Sequence, residues 1–169
     1  VYEHSKYESE REIYAATGIA TKTIYRPSII VGDSHSGFTS TFHTVYSVLR
    51  FLRSLPERYS GNLDWILQQM HLSGEEGKNL VPVDWVSRSL VELMHCENSL
   101  GGIHHLVHRE PVTARSLSAA VGQAIVSCKE DWDAMTLPIS LQDVQQAFAT
   151  HLQAYQEYFA HDPIFPVGG

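Results

Sequence analysis

Three short segments rich in β-branched and other apolar residues divide this chain, and helical spacing fills the intervals between them. They lie at residues 19–31, 80–83 and 103–108. Residues 2–17 are rich in Glu, Lys, Arg and Ala and run up to Gly18, which predicts a helix with a glycine stop. Apolar residues at 42, 45, 48, 49, 52 and 55 repeat at helical spacing and stop at Pro56. Residues 62–72 read as a shorter helix and 73–79 as a turn region. Asp84 reads as the N-cap of a helix over 85–95, and Thr113 and Ser140 as caps of two later helices, the last reaching about residue 159. Strand and helix thus alternate through the first 110 residues. That order predicts an α/β fold, a parallel sheet with helical crossovers, followed by an all-helical end. Arg26-Pro27 sits inside the first strand, and proline removes a ladder donor, so the strand is expected to end or bend there.

A parallel sheet is normally covered on both faces, and three strands make a thin one. The chain also starts at Val1 without Met, and its densest motif occupies residues 2–6. The expectation is that the front half of a domain lies outside these residues.

Charge and composition narrow the function classes. The chain carries 12 Lys+Arg against 19 Asp+Glu, a net charge of −7. Such a chain has no general attraction for phosphate backbones, so nucleic acid is not an expected partner. Residues 1–60 hold seven basic and six acidic side chains, and 61–169 hold five and thirteen. The asymmetry suits an anionic ligand near the front, and a solvated acidic surface equally. No run approaches the ~18 apolar residues of a membrane span, and the expected location is cytoplasmic. Two cysteines, Cys96 and Cys128, make neither a disulfide framework nor a four-thiolate zinc site. His104, His105 and His108 are dense, but strand alternation turns 105 away from 104 and 108, so no metal site is expected. Ser34, His35 and Ser36 lack the Gly-x-Ser-x-Gly elbow of a hydrolase.

Tyr2 and Lys6 are spaced i, i+4 on a predicted helix, so both positions fall on one face. An ammonium near a phenol favours the phenolate and lowers its pKa from about 10. A phenol tuned in this way passes a proton to or from a carbonyl or alcohol oxygen. The bare spacing also suits a solvated helix face.

The motifs around this pair fall in a telling order. Tyr2-Glu3-His4-Ser5-Lys6 is followed by Glu8 and Glu10, Gly18, the run Arg26-Pro27-Ser28-Ile29-Ile30-Val31-Gly32-Asp33-Ser34 with Gly37, then Val81-Pro82-Val83-Asp84-Trp85-Val86 and His105-Leu106. This series resembles the extended short-chain dehydrogenase/reductase family. The 26–34 run is more similar to its thioester-reductase and fatty-acyl-reductase branch than to its sugar-nucleotide epimerases. Residues 155–165 resemble the end of the same branch.

The resemblance implies a fold, the C-terminal part of a Rossmann-like doubly wound sheet plus a mainly helical substrate lobe. Residues 1–110 would be the second half of the cofactor domain, with a helical insertion at about 38–77, and 111–169 the helical lobe. It implies NADP or NAD as cofactor, and as substrate an acyl thioester or related carbonyl, free or on a carrier protein. Tyr2 would be the acid/base, and Lys6 its partner and a ligand of the cofactor ribose. Pro27, Ser28 and Ile29 would border the nicotinamide, and Asp33, Ser34, Gly37 and Phe38 the substrate. The family's glycine-rich phosphate cradle has no counterpart in these 169 residues. The chain alone is therefore expected to be inactive, with the upstream half or a partner chain completing it. Two other readings stay open at this stage. One is a sugar-nucleotide epimerase/dehydratase or hydroxysteroid-type dehydrogenase, and the other a non-catalytic module that binds a carrier or a second subunit.

Overall fold

The computed structural model describes residues 2–41, 46, 63–127, 142, 143 and 146. In chain order the elements are α1 (Tyr2–Ala15), β1 (Ile24–Pro27), β2 (Ile29–Val31), α2 (Leu63–Gln69), β3 (Gly77–Lys78), β4 (Leu80–Pro82), α3 (Val83–His95), a 3₁₀ turn (Glu97–Ser99), β5 (Ile103–Leu106), β6 (Val112–Thr113) and α4 (Ala114–Ser127). They fall into two compact units. One comprises Val1–Phe38 and Leu80–Arg109, the other Thr39–Asn79 and Glu110–Gly169.

The first unit is the α/β part, as expected from the alternation. Its strands pair in parallel, β1 with β5 (Ile24 opposite Ile103) and β2 with β4 (Ile29 opposite Leu80). β4, α3 and β5 follow one another as a strand–helix–strand unit, with β4 pairing to β2 and β5 to β1. This architecture is that of a partial Rossmann-like domain. The expected break after Pro27 is present. Ser28 separates β1 from β2, its N–H donates to Leu106 O at 3.0 Å, and beyond it the chain changes pairing partner.

The core of this unit consists of Val81, Val86 and Leu106, with Tyr25, Ile30, Leu90 and Leu93 packed against it. Val86, Leu90 and Leu93 share one face of α3 at i, i+4, i+7 spacing; Val86 is buried, which stabilises by about 1.5–3 kcal/mol, and Leu90 and Leu93 are half-buried against it. The helix ends are capped by side chains from outside. Lys22 Nζ donates to Tyr14 O (2.8 Å) and Ala16 O (2.5 Å), placing an ammonium on the last carbonyls of α1. Ser99 Oγ does the same for α3, donating to Leu93 O and Cys96 O. At the start of the β1/β5 ladder, Gly101 N–H donates to Thr23 Oγ1 (3.0 Å) and Ile24 N–H to Gly102 O (3.0 Å). Gly101 takes a φ of +82° to make that turn.

The second unit carries α2 against α4, with Leu67, Met70 and Ala114 buried. Thr113 caps α4 as expected, its Oγ1 accepting from Ser116 N–H at 3.1 Å. The 73–79 stretch, expected to be only a turn, contains β3, which pairs antiparallel with β6. Two-residue strands are too short to show a period of two. Between α2 and β3, Glu76 closes a tight turn by accepting from Ser73 N–H (2.7 Å), Ser73 Oγ (2.9 Å) and Gly74 N–H (2.9 Å). Burial raises its carboxyl pKa, but these donors outweigh that and hold it at about 2. A depressed carboxylate stabilises the fold above its unfolded pKa near 4.5, and that contribution is lost as pH falls towards about 2. Glu76→Gln is expected to cost about 1–2 kcal/mol at neutral pH. It should also flatten the acid limb over that window in urea-unfolding curves taken at several pH values.

Two further expectations are corrected. Asp84 is not the N-cap of α3. The helix starts two residues earlier, at Val83, with Pro82 in the cap position and no side-chain cap. The third strand stops at Leu106 rather than residue 108. Of the helices expected over 42–55 and 140–159, only residues 46, 142, 143 and 146 are described, all helical; the rest, and the 155–165 segment, lie outside the described residues.

Candidate functional site

All the candidate residues lie in the first unit. α1 carries Tyr2 and Lys6 four positions apart, so helix geometry places both positions on one face. Glu10 is the next member of that i, i+4 series. Its carboxylate receives both arms of a fork from Arg26, Nε to Oε1 at 2.9 Å and Nη2 to Oε2 at 2.5 Å. Arg26 holds the Glu10 carboxyl below the usual range through these bonds and its charge; burial opposes, and His105 adds a smaller attraction. Reciprocally, Glu10 raises the Arg26 pKa. Because Pro27, Ser28 and Ile29 follow Arg26 directly, this pair joins the Tyr2–Lys6 helix to the strand break at Ser28.

Beyond β2 the chain closes a small ring. Asp33 N–H donates to Phe38 O (2.9 Å) and Gly37 N–H donates to Asp33 O (2.8 Å). Asp33 Oδ1 accepts from His35 N–H, Ser36 N–H and Ser36 Oγ, which lowers its pKa. Ser34 ties the ring to α3, its N–H donating to Asp84 Oδ1 and its hydroxyl to Asp84 Oδ2, both at 2.8 Å. These bonds depress the Asp84 pKa. The substrate-side candidates thus separate into two kinds. Asp33, Ser34 and Gly37 build the ring, and Phe38, 71% exposed, is presented at its end.

Reasoning from the sequence missed three features: the Glu10–Arg26 fork, the Ser34–Asp84 link and the Lys22 cap. Only the first left a signal, a Glu continuing the Tyr2–Lys6 stripe with an Arg just before the strand-breaking proline. Of the histidines, His104 stacks on Tyr25 (centroids 5.7 Å apart, planes at 24°) and its Nε2 lies 2.7 Å from Ser99 O. It serves the β1/β5 ladder.

The residues present fit the nicotinamide-ribose end of a dinucleotide: a Tyr/Lys pair of positions on one helix face, joined by the fork to a broken parallel strand. They do not fit its pyrophosphate, since no Gly-x-Gly-x-x-Gly turn occurs in the 169 residues.

No curated protein matches the chain. A family model described as male sterility protein, an NAD-binding domain, matches residues 1–90, just over half of the 169. That span contains Tyr2, Lys6, the strand break, the ring and the start of α3. It supports a nucleotide-dependent oxidoreductase and leaves NADP and NAD undistinguished. Among the described residues no helix is long and apolar enough to cross a membrane. The chain therefore belongs to the male sterility protein family, whose NAD-binding domain is fatty-acyl-reductase-like and of the extended short-chain dehydrogenase/reductase type.

Proposed function

We propose that this chain is the catalytic-helix half of an NAD(P)-dependent reductase acting on an acyl thioester or related carbonyl. The observation that carries the reading is the order of elements in an NAD-binding family: Tyr2 and Lys6 on α1, then a parallel strand broken at Ser28. A bound nicotinamide supplies the hydride. The ammonium of Lys6 holds the ribose hydroxyls and favours the phenolate form of Tyr2, which tunes Tyr2 to protonate the oxygen of the reduced carbonyl. Pro27, Ser28 and Ile29 border the nicotinamide. Asp33, Ser34 and Gly37 set the ring that presents Phe38 to the acyl chain.

Residues 1–110 form the second half of the cofactor domain, with an insertion at about 38–77, and 111–169 form the substrate lobe. The grouping of 39–79 with 110–169 in one unit supports this division. The C-terminal part belongs to the thioester-reductase branch, the substrate arrives free or on a carrier protein, and the enzyme works in the cytoplasm. The pyrophosphate cradle is supplied by sequence other than these residues.

The test is reductase activity in a protein carrying this chain together with a glycine-rich strand–turn–helix half. Oxidation of NADPH or NADH dependent on an acyl thioester supports the reading. Turnover of a sugar nucleotide or a steroid instead moves the chain to another chemistry of the same fold. The 169 residues alone are expected to bind either dinucleotide more weakly than micromolar, which isothermal titration checks.

A further inference from the structure

We propose that the Glu10–Arg26 ion pair is a positioning device that sets the rotation and height of α1, and through them the place of Lys6 relative to the break at Ser28. This rests on the reading of Lys6 and Tyr2 given above and deepens it.

Apolar packing does not fix this helix among its described side chains. From His4 to Ala15 none is buried, and Tyr7, Ile13 and Tyr14 are 60%, 48% and 47% exposed. The side chain of Glu10 is the better covered partner of the fork, at 24% against 40% for Arg26. A helix held by a greasy face has its rotation fixed by many contacts, whereas the described side chains of this one meet β1 through a planar fork. A guanidinium gripping both carboxylate oxygens defines a plane as well as a distance, which an ammonium on a flexible stem does not. Lys22 is of the second kind, and it holds only the far end of α1. Glu10 lies one turn, about 6 Å, from Lys6 along the axis. Arg26 abuts Pro27, whose ring fixes φ, so the fork transmits little slack to Ser28. The charged or titratable groups around the fork are His105 of β5, facing Glu10, and Tyr14 of α1, facing Arg26.

The fork touches neither reacting atom, so its signature is a shift in how the site titrates. In the complete reductase, Arg26→Gln is expected to lower kcat about 10–100-fold, since misplacement of about 1 Å has costs of that order. KM for the thioester should hold, and the alkaline limb of kcat/KM should move to higher pH as the phenol loses its ammonium neighbour. Arg26→Lys, which keeps the charge and loses the fork, should fall between, and the swap Glu10→Arg with Arg26→Glu should restore much of the rate. Wild-type kcat and pH profile in Arg26→Lys and Arg26→Gln overturn the proposal. So does a loss of rate with no movement of the pH limb, which marks a fold defect alone. Should Arg26→Gln not fold, Arg26→Lys decides by the same two readouts. Tyr2→Phe serves as control. If it is inactive, a wild-type profile in the Arg26 variants sinks only this inference, and if it is fully active the reading of the site itself has failed.

Discussion

Tyr2→Phe is expected to lower turnover of the complete reductase by about 10²–10⁴-fold, the usual worth of a positioned general acid, if Tyr2 has the role proposed for it. The phenylalanine keeps the ring and removes only the hydroxyl, so substrate and dinucleotide affinities should stay near wild type. Loss confined to kcat is what distinguishes a proton donor from a packing residue. Nicotinamide oxidation under saturating thioester, with dinucleotide affinity measured separately, provides both numbers. Full activity in this variant removes Tyr2 from the chemistry.

The largest effect expected on the fold comes from Gly32→Ala. A Cβ at residue 32 would lie 2.5 Å from Gly37 O and 2.9 Å from Phe38 O. Both are backbone atoms and cannot rotate aside. The ring must open, which puts at risk the bonds Asp33 N–H to Phe38 O and Gly37 N–H to Asp33 O. Forcing a methyl into such a contact costs about 2–3 kcal/mol. Gly18→Ala makes the contrasting case, because its Cβ meets nothing and only the positive φ of +83° is strained, worth about 1–2 kcal/mol. Urea midpoints of the two variants, compared with the wild type, should fall in that order. Equal midpoints would mean that the ring relaxes freely and that Gly32 is not needed for closure.

The parts of the fold legible in the sequence are those where one local rule dominates. Proline at 27 breaks the first strand and Thr113 caps α4, each through chemistry within a few residues, whereas α1 stops at Ala15, short of the expected stop at Gly18. Val86, Leu90 and Leu93 recur at helical spacing in the sequence and lie at the core, whereas Met94, also apolar, is 61% exposed. What could not be read depends on pairs distant in the chain. Asp84 looks like a cap by local rules, but Ser34, fifty residues earlier, takes both of its oxygens. Lys78 gives no sign in the sequence of being buried to 1% exposure, because a two-residue strand carries no pattern. At the candidate site, spacing and the order of the surrounding motifs placed the Tyr2 and Lys6 positions on one helix, which α1 is. The Glu10–Arg26 fork spans sixteen residues and joins two elements, so neither element's periodicity contains it.

The bonds at Thr23 and Gly102 have a consequence for how this half-domain can change over time. They seal the entry end of the β1/β5 ladder, where Gly101 and Ile24 are both engaged. The break at Ser28 and the ring at 33–38 lie at the opposite, carboxyl end of the strands, the end that takes ligands in open α/β sheets. The molecule thus divides labour between a conservative end and an adaptable one. Lengthening or re-lettering the ring around Phe38 leaves the seal untouched, so the ligand-side end can change while the ladder stays zipped.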